Sequence, residues 1–235
     1  MVTKSFHLFE IENLRFELPS FTILSGPMAA AKPIFAQKFM VKWINTGGKA
    51  IYFATSSPIN GAITNLKILG IDENKIKNIL FFDYDPNIKR IEKISHGYKG
   101  NFSDENQLKY ALNFAKEKLV IIPSFTLLLV GVKDKEKIVK TLIDELIKKP
   151  ITSFIAVNSA MFRDINKMLE NAADNVIEFI KKEDKIYIKI LKFKGEYKLK
   201  EQLFDFPINL FYKTKKEVAE RTSRMIRDKK KAKRL

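Results

Sequence analysis

Phe21-Thr22-Ile23-Leu24-Ser25-Gly26-Pro27-Met28-Ala29-Ala30-Ala31-Lys32-Pro33 is an apolar strand end that runs through a turn of small residues into a helix start. Strand, turn and helix in this order form the frame of a phosphate-binding loop, whose working pattern is G-x-x-x-x-G-K-[ST]. The second glycine lets backbone N–H groups wrap the phosphates, the lysine meets their charge, and the hydroxyl holds Mg²⁺. Gly26 and Lys32 stand at the right separation, but Ala31 takes the place of the second glycine and Pro33 that of the hydroxyl. The frame is present and the magnesium ligand is missing. A plain strand-to-helix corner with an incidental lysine is the alternative reading of the same residues.

Working outward, Pro33 to Asn45 has the spacing of an amphipathic helix. Phe35, Phe39 and Trp43 recur every fourth residue with Ala36, Met40 and Ile44 beside them, and Gln37, Lys38 and Lys42 lie opposite. Proline is suited to the first turn of a helix, where no N–H is needed. Ala50-Ile51-Tyr52-Phe53-Ala54 reads as a fully buried strand of a parallel sheet. Its carboxyl end presents Thr55-Ser56-Ser57-Pro58, hydroxyls without a carboxylate, at the sheet edge where ligands gather in doubly wound folds.

Further strands are expected at Asn78–Asp83, Leu119–Ile122 and Ser153–Val157, and helices at Gly61–Leu69, Asp104–Lys118 and Asp134–Lys148. Tyr84 to Asn101 is polar and poorly periodic and reads as a surface excursion. Strands alternating with helices of this length predict a parallel sheet with right-handed crossovers. From Ala173 the rhythm changes to antiparallel strands, Asn175–Lys181, Lys185–Phe193 and Glu196–Phe206, whose hairpins cap one edge of the sheet. Before the loop, Phe6 to Leu18 alternates as one or two short antiparallel strands. The strand at Leu119 should end in an aspartate if a phosphate loop stands upstream. It ends in Pro123.

The 235 residues suit one substantial α/β domain with a tail. No apolar run reaches the ~18–20 residues of a membrane span, and Met1-Val2-Thr3-Lys4 lacks the apolar stretch of a signal peptide, so a cytoplasmic protein is expected. The chain has no cysteine, which excludes disulfides, thiolate metal sites and cysteine nucleophiles. His7 and His96 each stand alone, and no metal site is expected. The net charge is +16, and Lys213 to Leu235 holds eleven Lys/Arg against Glu217, Glu220 and Asp228. That surplus of eight marks an interaction arm for nucleic acid or another acidic partner, or a solubilising end. Lys229, Lys230, Lys231, Lys233 and Arg234 are its densest stretch.

The order of these pieces resembles the KaiC-like branch of the RecA superfamily, in its archaeal single-domain form, from Phe21 to about Phe206. The resemblance is carried by Leu24-Ser25-Gly26-Pro27 with Lys32 and Ile34 to Phe39, by Ala50-Ile51-Tyr52-Phe53, and by Pro58 with Asn65 to Gly70. Val120 to Leu129 is similar to the family's second nucleotide motif, and Ala173 to Ile177 with Leu191 to Gly195 to its late hairpin. It implies a RecA-like αβα sandwich of three layers with a mostly parallel central sheet and C-terminal antiparallel strands, taken as a domain over residues 1–212, and the charge surplus sets off a basic tail at 213–235. It implies a nucleotide seat at Gly26, Pro27, Met28, Ala29, Ala30, Ala31, Lys32 and Pro33. Lys192 and Lys194 match basic residues that reach a neighbouring subunit's nucleotide, although strand alternation would also send both to solvent on one side.

Departures from the family pattern fall on the chemistry. Ala31 and Pro33 alter the loop, Ser56-Ser57 stand where the family places catalytic glutamates, and Pro123 replaces the metal-holding aspartate. Phosphoryl transfer depends on metal, positioning and electrostatic stabilisation, and single losses of such groups cost ~2.7–4 kcal/mol. The expectation is therefore a pseudo-ATPase and not an enzyme. It would hold ATP or ADP without hydrolysis or hold none, and assemble as a homo-oligomer or with an active paralogue as a regulatory scaffold. A recombinase-type paralogue that binds nucleic acid through the tail is the alternative, and Asp83 or Asp85 could serve a residual ATPase as a relocated metal ligand.

Overall fold

The computed structural model describes residues 7–149, 151–205 and Ser223. Two short strands, β1 (His7–Ile11) and β2 (Leu14–Leu18), pair antiparallel and lead into β3 (Phe21–Ser25) and α1 (Lys32–Asn45). Then follow β4 (Ala50–Ala54), α2 (Ile59–Ile68), β5 (Ile79–Tyr84), β6 (Glu92–Ile94), β7 (Gly97–Gly100) and α3 (Glu105–Leu112). β8 (Leu119–Ile122), α4 (Phe125–Leu129), α5 (Lys135–Lys148), β9 (Ser153–Ala156) and α6 (Arg163–Ala172) continue the alternation. The chain closes with β10 (Asn175–Lys182), β11 (Lys185–Lys192), β12 (Gly195–Tyr197) and β13 (Glu201–Leu203).

Among the described residues ten strands make the central sheet, in the order β13-β11-β10-β3-β9-β8-β4-β5-β7-β6. The seven from β10 to β7 run parallel, β11 and β6 flank them antiparallel, and β13 pairs antiparallel with β11 at the outer edge. Pleating divides the strands between two cores. Leu24, Tyr52, Ile121 and Phe154 face one side, with Phe35, Phe39 and Met40 of α1 and Leu66 of α2. Ile23, Phe53, Val120 and Ile155 face the other, with Leu108 of α3, Phe125 of α4, Leu142 of α5 and Leu169 of α6. Helices thus cover both faces of a sheet whose central strands are buried throughout, the three-layer RecA-like α/β arrangement expected from the sequence.

The first layer is held by aromatic rings. Phe154 lies 4.4 Å from Phe39, 5.4 Å from Phe16 and 6.4 Å from Phe35 between ring centroids, so α1, β2 and β9 meet at one side chain. β2 belongs to a separate three-stranded sheet in the order β1-β2-β12.

Three expectations need correction. The stretch from Tyr84 to Asn101 is not merely an excursion, because β7 adds to β5 in parallel and β6 closes the edge. Gly97 permits this: at φ +149° it brings its Cα so close to Phe81 that an added Cβ would stand 1.9 Å from the Phe81 carbonyl oxygen. β10 does not begin an antiparallel meander but lies parallel to β3, with Val176 opposite Ile23, and only β11 turns back on it. Nor is Glu196–Phe206 one strand. Glu196 pairs with Arg15 of β2, while Gln202 pairs with Ile188 of β11, so the run is shared between the two sheets.

Candidate functional site

β3 releases the chain at Gly26, whose φ of +144° and close approach to Phe179 admit no side chain. A Cβ there would stand 2.6 Å from the Phe179 carbonyl oxygen. Beyond it Pro27, Met28 and Ala29 project into solvent, and Ala30 and Ala31 turn inward. Two alanines hold left-handed backbone, Ala29 at φ 61° and Ala31 at φ 55°. Each costs ~1–2 kcal/mol compared with a right-handed residue. Ala31 therefore keeps the conformation for which glycine is ordinarily used, and its carbonyl accepts from both Ile34 N (3.0 Å) and Phe35 N (3.2 Å) to start α1. Pro33 fits this first turn without strain, as its position in the sequence suggested.

Lys32 does not reach outward. Its side chain is only 6 % exposed, and Nζ donates to the carbonyls of Gly26 (2.7 Å) and Pro27 (2.5 Å). The cation that would meet a β or γ phosphate instead closes the loop on itself. Burial lowers its pKa to about 8, while the two carbonyls, accepting from the protonated form, favour the charge. Met28, 66 % exposed, plays no part in filling the seat.

Around the loop the expected reactive groups are absent in position as well as in type. β8 is followed by the buried Pro123, and α4, which follows Ser124, is buried along its whole length. At the end of β4, Ser56 is half-buried and Ser57 buried, and the hydroxyl of the fully buried Thr55 has no partner among the described residues. Asp83 lies on β5, four strands from β3, which at ~4.8 Å per strand is about 19 Å away. Asp85 is paired with Lys99 at 3.1 Å. Neither supplies a carboxylate beside Lys32, which corrects the reading that either could serve as a relocated ligand. Among the described residues no group of three or more His, Cys, Asp or Glu side chains could hold a metal.

A polar lattice beneath the loop went unnoticed in the sequence. The N–H of Ser159 donates to Gly26 O (3.0 Å) and that of Asn158 to Thr126 Oγ1 (2.8 Å), joining the loop after β9 to the phosphate loop and to α4. Asn166 Nδ2 donates to the carbonyls of Asn158 and Met161, each at 2.9 Å, which fastens α6 to the same turn. The available signal was Asn158-Ser159-Ala160 directly after a buried strand, an Asx-turn in which Asn158 Oδ1 accepts from Ala160 N at 3.0 Å.

Lys192 and Lys194 occupy different settings and are not a solvent-facing pair on one strand. Lys192 ends β11 opposite Val176, and Nζ donates to the carbonyls of Asn171 (3.4 Å) and Ala173, the C-terminal end of α6 where a cation is favoured. Lys194 lies in the turn before β12. Its N–H donates to Asn175 Oδ1 (2.6 Å), and Nζ pairs with Glu17 at 3.6 Å. The expected nucleic-acid residues Lys229, Lys230, Lys231, Lys233 and Arg234, and the boundary at 212/213, lie outside the described residues.

Comparison with known proteins agrees with this architecture. A family model described as the KaiC type of ATPase matches residues 9–209. The chain is similar to the flagellar accessory protein FlaH from Methanocaldococcus jannaschii, with a TM-score of 0.62 and 16% identity over 80% of this chain and 86% of that one. It is also similar to a KaiC-like protein from the hyperthermophilic archaeon Pyrococcus horikoshii OT3, with a TM-score of 0.60 and 17% identity over 83% and 88%. No curated protein matches the sequence significantly. Among the described residues no helix is long and apolar enough to cross a membrane.

Proposed function

The chain belongs to the KaiC family of ATPase domains, and we propose that it is a member without hydrolytic activity, a pseudo-ATPase kept in the cytoplasm as a regulatory or interaction scaffold. One observation carries this reading: the Lys32 ammonium is satisfied by Gly26 and Pro27. The other altered positions point the same way. Pro33 brings no hydroxyl to Mg²⁺, Pro123 no carboxylate, and Ser56 and Ser57 no base strong enough to orient water. ATP or ADP can enter only after Lys32 leaves its two carbonyls, so nucleotide is a weak, metal-independent ligand in this account. Assembly with itself or with an active paralogue is the setting in which such a scaffold would act. The test is phosphate release from Mg²⁺-ATP: the chain should match a Lys32→Ala control, and turnover above that control contradicts the proposal.

The surplus of eight positive charges between Lys213 and Leu235 favours a second reading, in which the tail binds nucleic acid through phosphate contacts. Removing residues 213–235 should then weaken DNA binding and flatten its dependence on salt. A salt slope that is unchanged by the truncation speaks against it.

A further inference from the structure

We propose that Gln202–Asp205 is a strap that holds the phosphate loop shut, so that the C-terminal end of the described fold governs access to Lys32. The inference rests on the reading of Gly26–Lys32 as a closed loop and adds how the closure is controlled.

Phe204 is the buckle. It is 2 % exposed, its N–H donates to Ile186 O (2.8 Å), and its ring lies 5.6 Å from Phe35 and 5.8 Å from Phe179. Phe35 and Phe179 are themselves 5.6 Å apart, which closes a triangle of rings. Two sides of that triangle are the walls of the loop: Phe35 stands in the first turn of α1, three residues after Lys32, and the backbone of Phe179 is the surface on which Gly26 rests. Withdrawing Phe204 therefore removes the support behind both.

Lys38 fastens the strap from the next turn of α1. Its Nζ donates to Asp205 O (2.9 Å) and to Glu12 Oε1 (2.7 Å) and stands 5.0 Å from the centre of the Phe204 ring. Gln202 Nε2 donates to Glu12 O, so the β1–β2 turn, the strap and α1 meet at one cation. The chain carries 30 further residues beyond Asp205.

Lys32 reactivity reads the strap directly and needs no nucleotide. The full chain is treated with an N-hydroxysuccinimide acetate at neutral pH, and acetylation of Lys32 is followed by mass spectrometry. Lys38→Ala and Phe204→Leu should each speed labelling of Lys32 about fivefold to tenfold, the size of opening expected from losing ~1 kcal/mol of local support. The control is Lys42→Ala, one turn further along α1, which cuts a different tie, Nζ to Glu10 O at 2.6 Å. It should leave the Lys32 rate unchanged. Wild-type rates in both strap variants, or equal acceleration by Lys42→Ala, would overturn the proposal. ATP turnover by the wild-type chain would defeat the functional reading above and leave the labelling result to decide the strap alone.

Discussion

Replacing Lys32 with methionine removes the ammonium and keeps most of the side-chain volume, and the closed loop fixes how the effect on stability changes with pH. Burial lowers Lys32 from 10.5 to about 8 in the folded chain. Between those values the unfolded chain binds more protons than the folded one. The contribution of Lys32 to stability therefore rises as pH climbs from about 8 towards 10.5, and the rise is absent below that window. Were burial the sole cause, the wild-type chain would gain about 2.5 kcal/mol relative to Lys32→Met between pH 7 and pH 10. The carbonyls of Gly26 and Pro27 favour the protonated form, which reduces the expected gain to about 1–2 kcal/mol. Urea denaturation of both chains at the two pH values measures it, and taking the difference between the chains cancels the titration of their shared lysines. A difference that stays flat over this range contradicts a lowered Lys32 pKa in the folded chain.

Ala31→Gly removes the penalty of a left-handed alanine at φ 55° and should stabilise the fold by ~0.5–1 kcal/mol, read as a higher urea midpoint; a lower midpoint contradicts it. Phe154→Ala opens a cavity where Phe16, Phe35 and Phe39 converge and should cost ~3–5 kcal/mol, whereas a loss under ~1 kcal/mol would show that this junction is not central. Restoring the motif with Ala31→Gly, Pro33→Thr and Pro123→Asp together should create a magnesium-dependent affinity for ATP, measured by titration calorimetry. No gain would mean that the inherited frame has lost its shape as well as its groups.

The strand, loop and helix from Phe21 to Asn45 were legible because three local signals agree there: an unbroken apolar run, small turn residues around Gly26, and a four-residue aromatic period. The alternation of strands and helices to Ala156 was legible for similar reasons. β7 was not, since Gly97-Tyr98-Lys99-Gly100 carries little apolar pattern and pairs only because Gly97 can approach Phe81 so closely. The parallel placement of β10 depends on Asp174 Oδ2 accepting from Phe21 N and Asn175 Nδ2 donating to Thr22 Oγ1, contacts 153 residues apart that no local period announces. At the site, the altered positions could be named from the sequence, whereas the state of Lys32 could not. A lysine after small residues reads the same whether it reaches for an anion or folds back on Gly26 and Pro27, because the choice depends on which acceptors the folded loop leaves nearby.

Titrating ATP into the full chain with Mg²⁺ and again with EDTA tests most directly whether, as proposed, the nucleotide seat is shut by its own lysine and lacks its magnesium partner. Weak or undetectable binding that is the same in both is the expected result. Affinity about tenfold or more tighter with Mg²⁺ would contradict it, since that gain requires a metal bridged between protein and triphosphate beside an opened Lys32.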